Sequence, residues 1–103
     1  MADRSMLRGA LIMGIILGDV GTEIILDCGV DVSSATEREI VVKKPNGAEV
    51  VWTAEPAGTT SIRHFLTEGE IDMSGNWRLQ ARITMPGWQG HGTLASFNVD
   101  RPL

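Results

Sequence analysis

Nine consecutive residues, Trp77-Arg-Leu-Gln-Ala-Arg-Ile-Thr-Met85, alternate apolar and polar without a phase error. Trp77, Leu79, Ala81, Ile83 and Met85 fall on one side; Arg78, Gln80, Arg82 and Thr84 fall on the other. Successive side chains of a strand point to opposite faces, so this run is a strand with one buried face and one wet face. Turn signals recur about every 8–12 residues along the rest of the chain, the spacing of a sandwich or barrel.

The other segments fit the same plan. Thr22 to Cys28 reads as a strand with Ile24, Leu26 and Cys28 inward, and Ile15 to Leu17 as a short strand before it. Glu37 to Lys44 places Ile40 and Val42 inward, and Ala48 to Ala54 places Val50 and Trp52 inward. Between them Pro45-Asn-Gly47 carries the Asn-Gly hairpin signal, because both residues tolerate positive φ. Thr59 to Leu66 is a further strand, and Glu68 to Ser74 is a polar crossing. Pro86-Gly87 turns the chain into a last strand, Trp88 to Val99, with Thr93, Ala95, Phe97 and Val99 inward. Only Leu7 to Leu17 admits a helical period. The expectation is an all-β, immunoglobulin-like antiparallel β-sandwich of about six to eight strands, spanning residues 13–103, with residues 1–12 as an N-terminal arm. A chain of 103 residues suits one such domain.

Net charge of −4, with Lys43-Lys44 as the one adjacent basic pair, argues against a nucleic-acid partner. The apolar run Gly9 to Leu17 is shorter than the about 20 residues a bilayer span needs, so no membrane role is expected. Arg4 and Arg8 before that run give it a superficial likeness to a signal peptide, but Asp3 lies in the basic region and no small-x-small site follows before Gly18. Two readings of the start remain: Met13 opens the domain behind a tail, or the tail is an arm whose Leu7, Leu11, Ile12 and Ile15 dock on a neighbouring subunit.

Catalytic parts are scarce. Cys28 is the single cysteine, which rules out an internal disulfide and fits a reducing compartment; on an inward phase it is packing. His64 reads as a strand residue, and His91 lies in an exposed Gly-rich stretch; neither has acidic ligands at metal spacing. Glycines match no phosphate-binding loop, and Glu68, Glu70 and Asp72 read as a solvated loop rather than a calcium site. The expectation is therefore no catalytic residue, no metal and no cofactor. Trp77 and Trp52 read as core. Trp88, beside Gln89 and His91, either forms a surface-binding tip for protein or glycan or folds back over the end of the sandwich.

Asp72-Met-Ser-Gly-Asn-Trp-Arg-Leu-Gln-Ala81 resembles the corner before strand F of immunoglobulin-like domains. By that resemblance Trp77 takes the place of the family's tyrosine, Leu79 that of the second disulfide cysteine, and Cys28 lies near the first. Gly18 to Ile24, Val32 to Thr36, Val42 to Gly47 and Trp77 to Ala81 together resemble small tailed-bacteriophage virion proteins, similar to the Ig-like N-terminal domain of phage baseplate upper proteins. That resemblance implies a non-enzymatic structural or adaptor role in the tail, baseplate, neck or head surface. Its partners would be other virion structural proteins, with the chain as a homo-oligomer or in many copies within an assembly. It would be assembled in the host cytoplasm and located in the virion. The alternative is a host-surface carbohydrate- or receptor-binding module.

Overall fold

A computed structural model of the chain describes residues 6–7, 10–11, 15–18, 20–92 and 94–102. Its strands are β1 (Met6–Leu7), β2 (Ala10–Leu11), β3 (Ile15–Ile16), β4 (Glu23–Asp27), β5 (Glu37–Lys43), β6 (Glu49–Thr53), β7 (Glu55–Pro56), β8 (Ser61–Phe65), β9 (Gly75–Met85), β10 (Trp88–His91) and β11 (Ala95–Asp100). No helix occurs among the described residues, and those of Leu7 to Leu17 that are described lie in short strands and a turn. A large sheet runs β3-β11-β9-β5-β6, with β10 also on β9, and a small sheet runs β4-β8-β7. All pairings are antiparallel except β3 with β11, where Ile15 lies beside Val99. In immunoglobulin lettering, β4, β8 and β7 are B, E and D, while β6, β5, β9 and β11 are C′, C, F and G. The expected sandwich is the observed one.

Alternation makes the core. Trp77, Leu79, Ala81 and Ile83 of β9, with Ile40, Val42, Trp52, Phe97 and Val99, close over Ile24, Leu26, Ile62 and Leu66 of the small sheet. Trp77 is fully buried, and its Nε1 donates to the Met73 carbonyl at 3.0 Å. That bond reaches four residues back along the chain, as the corner tyrosine's hydroxyl does in the family the segment resembles. A buried indole N–H without an acceptor would cost about 1–3 kcal/mol, so the Met73 carbonyl fixes the corner.

The hairpin after β5 forms where expected, but by a different turn. Gly47 N–H donates to Lys44 O at 2.9 Å, and Gly47 alone in it takes a positive φ, 89°. Pro45 presets the first turn residue, so Asn46 stays at negative φ and a three-residue loop results. This hairpin presses on the start of β9: a Cβ on Gly75 would lie 2.9 Å from Pro45 Cγ.

The expected last strand is broken. Trp88 pairs with Met85 and His91 with Arg82, yet Ala95 pairs with Leu79. Four steps along one strand face three along the other, so a β-bulge of one extra residue separates β10 from β11. The bulge reverses the inward phase: odd residues face inward in β11, even ones in β10.

The N-terminal arm is in part a hairpin. β1 and β2 pair, with Met6 beside Leu11, and β2 lies against β4 of the same chain. Ile15 belongs to the large sheet through β3. Ile12 lies outside the described residues.

Candidate functional site: an open sheet edge and its outer face

Sheet edges present unpaired backbone groups, and natural proteins cover or blunt them. Three edges of this sandwich are managed. β3 covers β11, and β2 lies against β4. β7 has only two residues and ends in Pro56. The Ala57 N–H donates to Ser61 O at 2.9 Å, which sets the odd residues toward β8 and leaves the Pro56 nitrogen, which has no hydrogen, on the open side.

β6, five residues long, is open. Lys44 N–H donates to Ala48 O at 2.8 Å and Ala54 N–H to Arg38 O at 3.0 Å, so the even residues of this strand bond to β5. The backbone groups of Glu49, Val51 and Thr53 therefore point away from the sheet. Only the Thr53 carbonyl of that row meets a partner among the described residues: His64 Nδ1 lies 2.8 Å from it. His64 Nε2 lies 2.8 Å from Glu70 Oε1, and the ring stacks on Trp52 at 4.8 Å. Burial pushes the Glu70 carboxyl up, but its bonds from His64 and the Thr67 N–H outweigh this and hold it below the usual range. The clamp ties the top of β6 to the small sheet and leaves Glu49 and Val51 open.

The outer face beside this edge has an apolar row. Val51 lies beside Val41, Val41 beside Gln80, and Leu94 precedes Ala95, the partner of Leu79. Val51 is 47% and Leu94 57% exposed. Lys43, Glu49 and Arg78 flank the row on one side. On the other, Arg82 donates to Glu39 at 2.7 Å. An apolar centre with a charged rim is the pattern of a contact surface.

The expected Trp88, Gln89, His91 tip does not form as one patch. Trp88 is exposed and its ring lies over Gly90, where a Cβ would come within 2.4 Å of it. Gln89 and His91 point to the opposite face, beside Thr84 and Arg82, and Gln89 Nε2 donates to Thr84 Oγ1 at 3.3 Å. Leu7 and Leu11 lie in the β1–β2 hairpin and Ile15 in β3, so these three expected arm residues sit in separate elements. Sequence reasoning missed Val51, Val41 and Leu94. The available signal was an apolar residue on the polar phase: Val51 between Val50 and Trp52.

Among the described residues the reactive groups serve separate contacts. Burial, then the charge of Asp27, raises the Cys28 pKa, which keeps it a thiol. Glu70 serves His64, Asp72 pairs with Lys44 Nζ at 2.9 Å, and Glu68 is exposed. Among the described residues no three His, Cys, Asp or Glu side chains gather closely enough to hold a metal ion.

No family model and no curated protein matches the chain. Among solved structures the fold is similar to that of CopC from Methylosinus trichosporium OB3b, with a TM-score of 0.61 and 17% identity over 99% of this chain and 93% of that one. At that identity the likeness is one of fold. It overturns the expectation of a phage virion protein, because the matching fold belongs to a bacterial protein and no phage protein supports the resemblance. The virion location, the tail or baseplate role and the host-adhesion alternative fall with it. The physical reason lies in the segments themselves. Gly18 and Gly21 supply positive-φ turns, Asp31 Oδ1 accepts from the Ser33 N–H at 2.9 Å, and Pro45 to Gly47 makes a hairpin. Each meets a backbone need of any such sandwich, and none reads a partner.

Proposed function

We propose that this chain is a non-catalytic binding domain that associates with a second copy of itself through β6. Two β6 strands pair antiparallel about Val51, joining the two large sheets across a twofold axis. The observation that carries this reading is the free row of backbone groups at Glu49 and Val51 on a five-residue edge strand, where β11, β4 and β7 are covered or blunted. The row suits its own copy. With Val51 opposite Val51 of the second copy, Glu49 falls opposite Thr53, so no like charges meet. The Val51 and Val41 side chains then continue as one apolar band across the joint. For the non-catalytic half, burial raises the Cys28 thiol pKa and His64 is held between the Thr53 carbonyl and Glu70.

Sedimentation equilibrium tests the reading. The wild-type chain should show a reversible monomer–dimer equilibrium. Val51→Lys should shift it to monomer, because two lysines would face each other at the axis, while the urea midpoint changes by less than about 0.5 kcal/mol, as for an exposed position. A wild-type chain that stays monomeric at millimolar concentration, or a V51K chain that dimerises equally, would sink it.

A further inference from the structure

A second feature stands apart from the β6 edge. Arg63 pairs with Glu23 and Glu55, Arg82 with Glu39, and Lys44 with Asp72. Arg38 donates to the Val32 and Ser33 carbonyls, and Arg101 to the Ser74 hydroxyl. Among the described residues two basic side chains have no hydrogen-bond or ion-pair partner, Lys43 and Arg78, and these two are direct cross-strand neighbours on β5 and β9. Like charges placed opposite each other destabilise a strand pair, and the chain as a whole is acidic, with net charge −4. Glu49 lies opposite Lys43 on β6 without forming an ion pair, so the two positive charges are offset only in part.

The pair lines an open cleft of about 500 Å³ with Lys44, Pro45, Gly47 and Asn76. Lys44 is held in place behind it, its Nζ 2.9 Å from Asp72 and 5.7 Å from the centre of the Trp77 ring. Asn76 is positioned by a 3.2 Å bond from its Nδ2 to Asn98 Oδ1. Two carboxylates stand near: Asp72, which Lys44 engages, and Glu49 on β6, directly opposite Lys43. The hairpin closes the cleft because Gly75 lets Pro45 approach.

From this arrangement we infer that the cleft binds a tetrahedral oxyanion carried on a small organic group, a phosphate or sulfate monoester. Arg78 offers a planar fork of donors and Lys43 a mobile point charge, a pairing that suits oxyanion geometry. The cleft exceeds a bare oxyanion, which leaves room for the esterified group. Glu49, beside Lys43 on β6, disfavours a second anionic group on that side.

Amide-shift titration of the full chain by NMR tests this, with glucose 6-phosphate in one arm, glucose 6-sulfate in another and sodium chloride at matched ionic strength in a third. The expected result is saturable shifts at Lys43, Lys44, Asn76 and Arg78 with one or both esters and none with chloride; which ester saturates identifies the source. Lys43→Gln and Arg78→Gln should each weaken binding about tenfold, the loss of one charge-assisted bond. The double variant should lose saturation while its melting temperature stays close to that of wild type, since both side chains are exposed and make no hydrogen bond or ion pair among the described residues. Equal linear shifts with chloride, shifts centred elsewhere, undiminished binding by the double variant, or a clearly lower melting temperature for it would each overturn the inference.

Discussion

β6 and β7 are edge strands separated by a single residue, Ala54, and they treat their edges in opposite ways. β7 is two residues long, ends in a proline whose nitrogen faces outward, and carries Glu55 bound to Arg63 at 2.9 Å. Such an edge offers a newcomer little. β6 is five residues long, directs unpaired backbone groups outward at Glu49 and Val51, and places an exposed valine at its centre. The same chain thus contains the standard protection and its omission side by side. The difference teaches that the open edge is not a failure to find protective residues, since a proline stands three positions beyond Thr53.

Substitutions can break or sharpen that contrast. The largest effect belongs to Val50→Pro. Val50 N–H bonds to β5, so its loss should cost about 3 kcal/mol, read as a collapse of the urea midpoint. Val51→Pro, one residue on, removes an N–H that bonds to nothing within the chain; it should change folding by less than about 1 kcal/mol yet abolish dimerisation. Next, His64→Ala removes the clamp on the Thr53 carbonyl and the stacking on Trp52, and should cost about 2 kcal/mol in chemical denaturation. Pro56→Val should leave stability within about 1 kcal/mol but open β7, so that light scattering detects association even in the V51K background. The smallest effect is acid dependence. Because the Glu70 carboxyl is held below its usual range in the folded protein, its contribution is present above the ordinary carboxylate pKa and fades as pH falls through the lowered value. Wild type should therefore lose stability more steeply below about pH 4.5 than Glu70→Gln, measured as urea midpoints against pH.

The sandwich was legible because burying one face forces a period of two, and β9 keeps that period from Trp77 to Met85. Trp77 was legible as core for the same reason. What escaped depends on pairing. Nothing local in Trp88 to Val99 says that one extra residue must be absorbed opposite β9, so the phase reversal at the bulge stayed hidden, whereas the division of Trp88 from Gln89 and His91 follows from strand alternation alone. Whether β6 is central or at an edge is a property of strand order. Lys43 and Arg78 are 35 positions apart, and only register makes them neighbours. The phage resemblance misled because it rested on turns and strand phases, which many sandwiches share.

Amide hydrogen exchange across β6 reports whether this edge is the interface. Val50 and Trp52 bond to β5, so their amides should exchange slowly at every protein concentration. Glu49 and Val51 amides should exchange near the rate of free peptide in dilute solution and become protected as concentration rises. If Glu49 and Val51 exchange fast even where the protein is dimeric, the edge is not the interface, and the account of this domain is wrong.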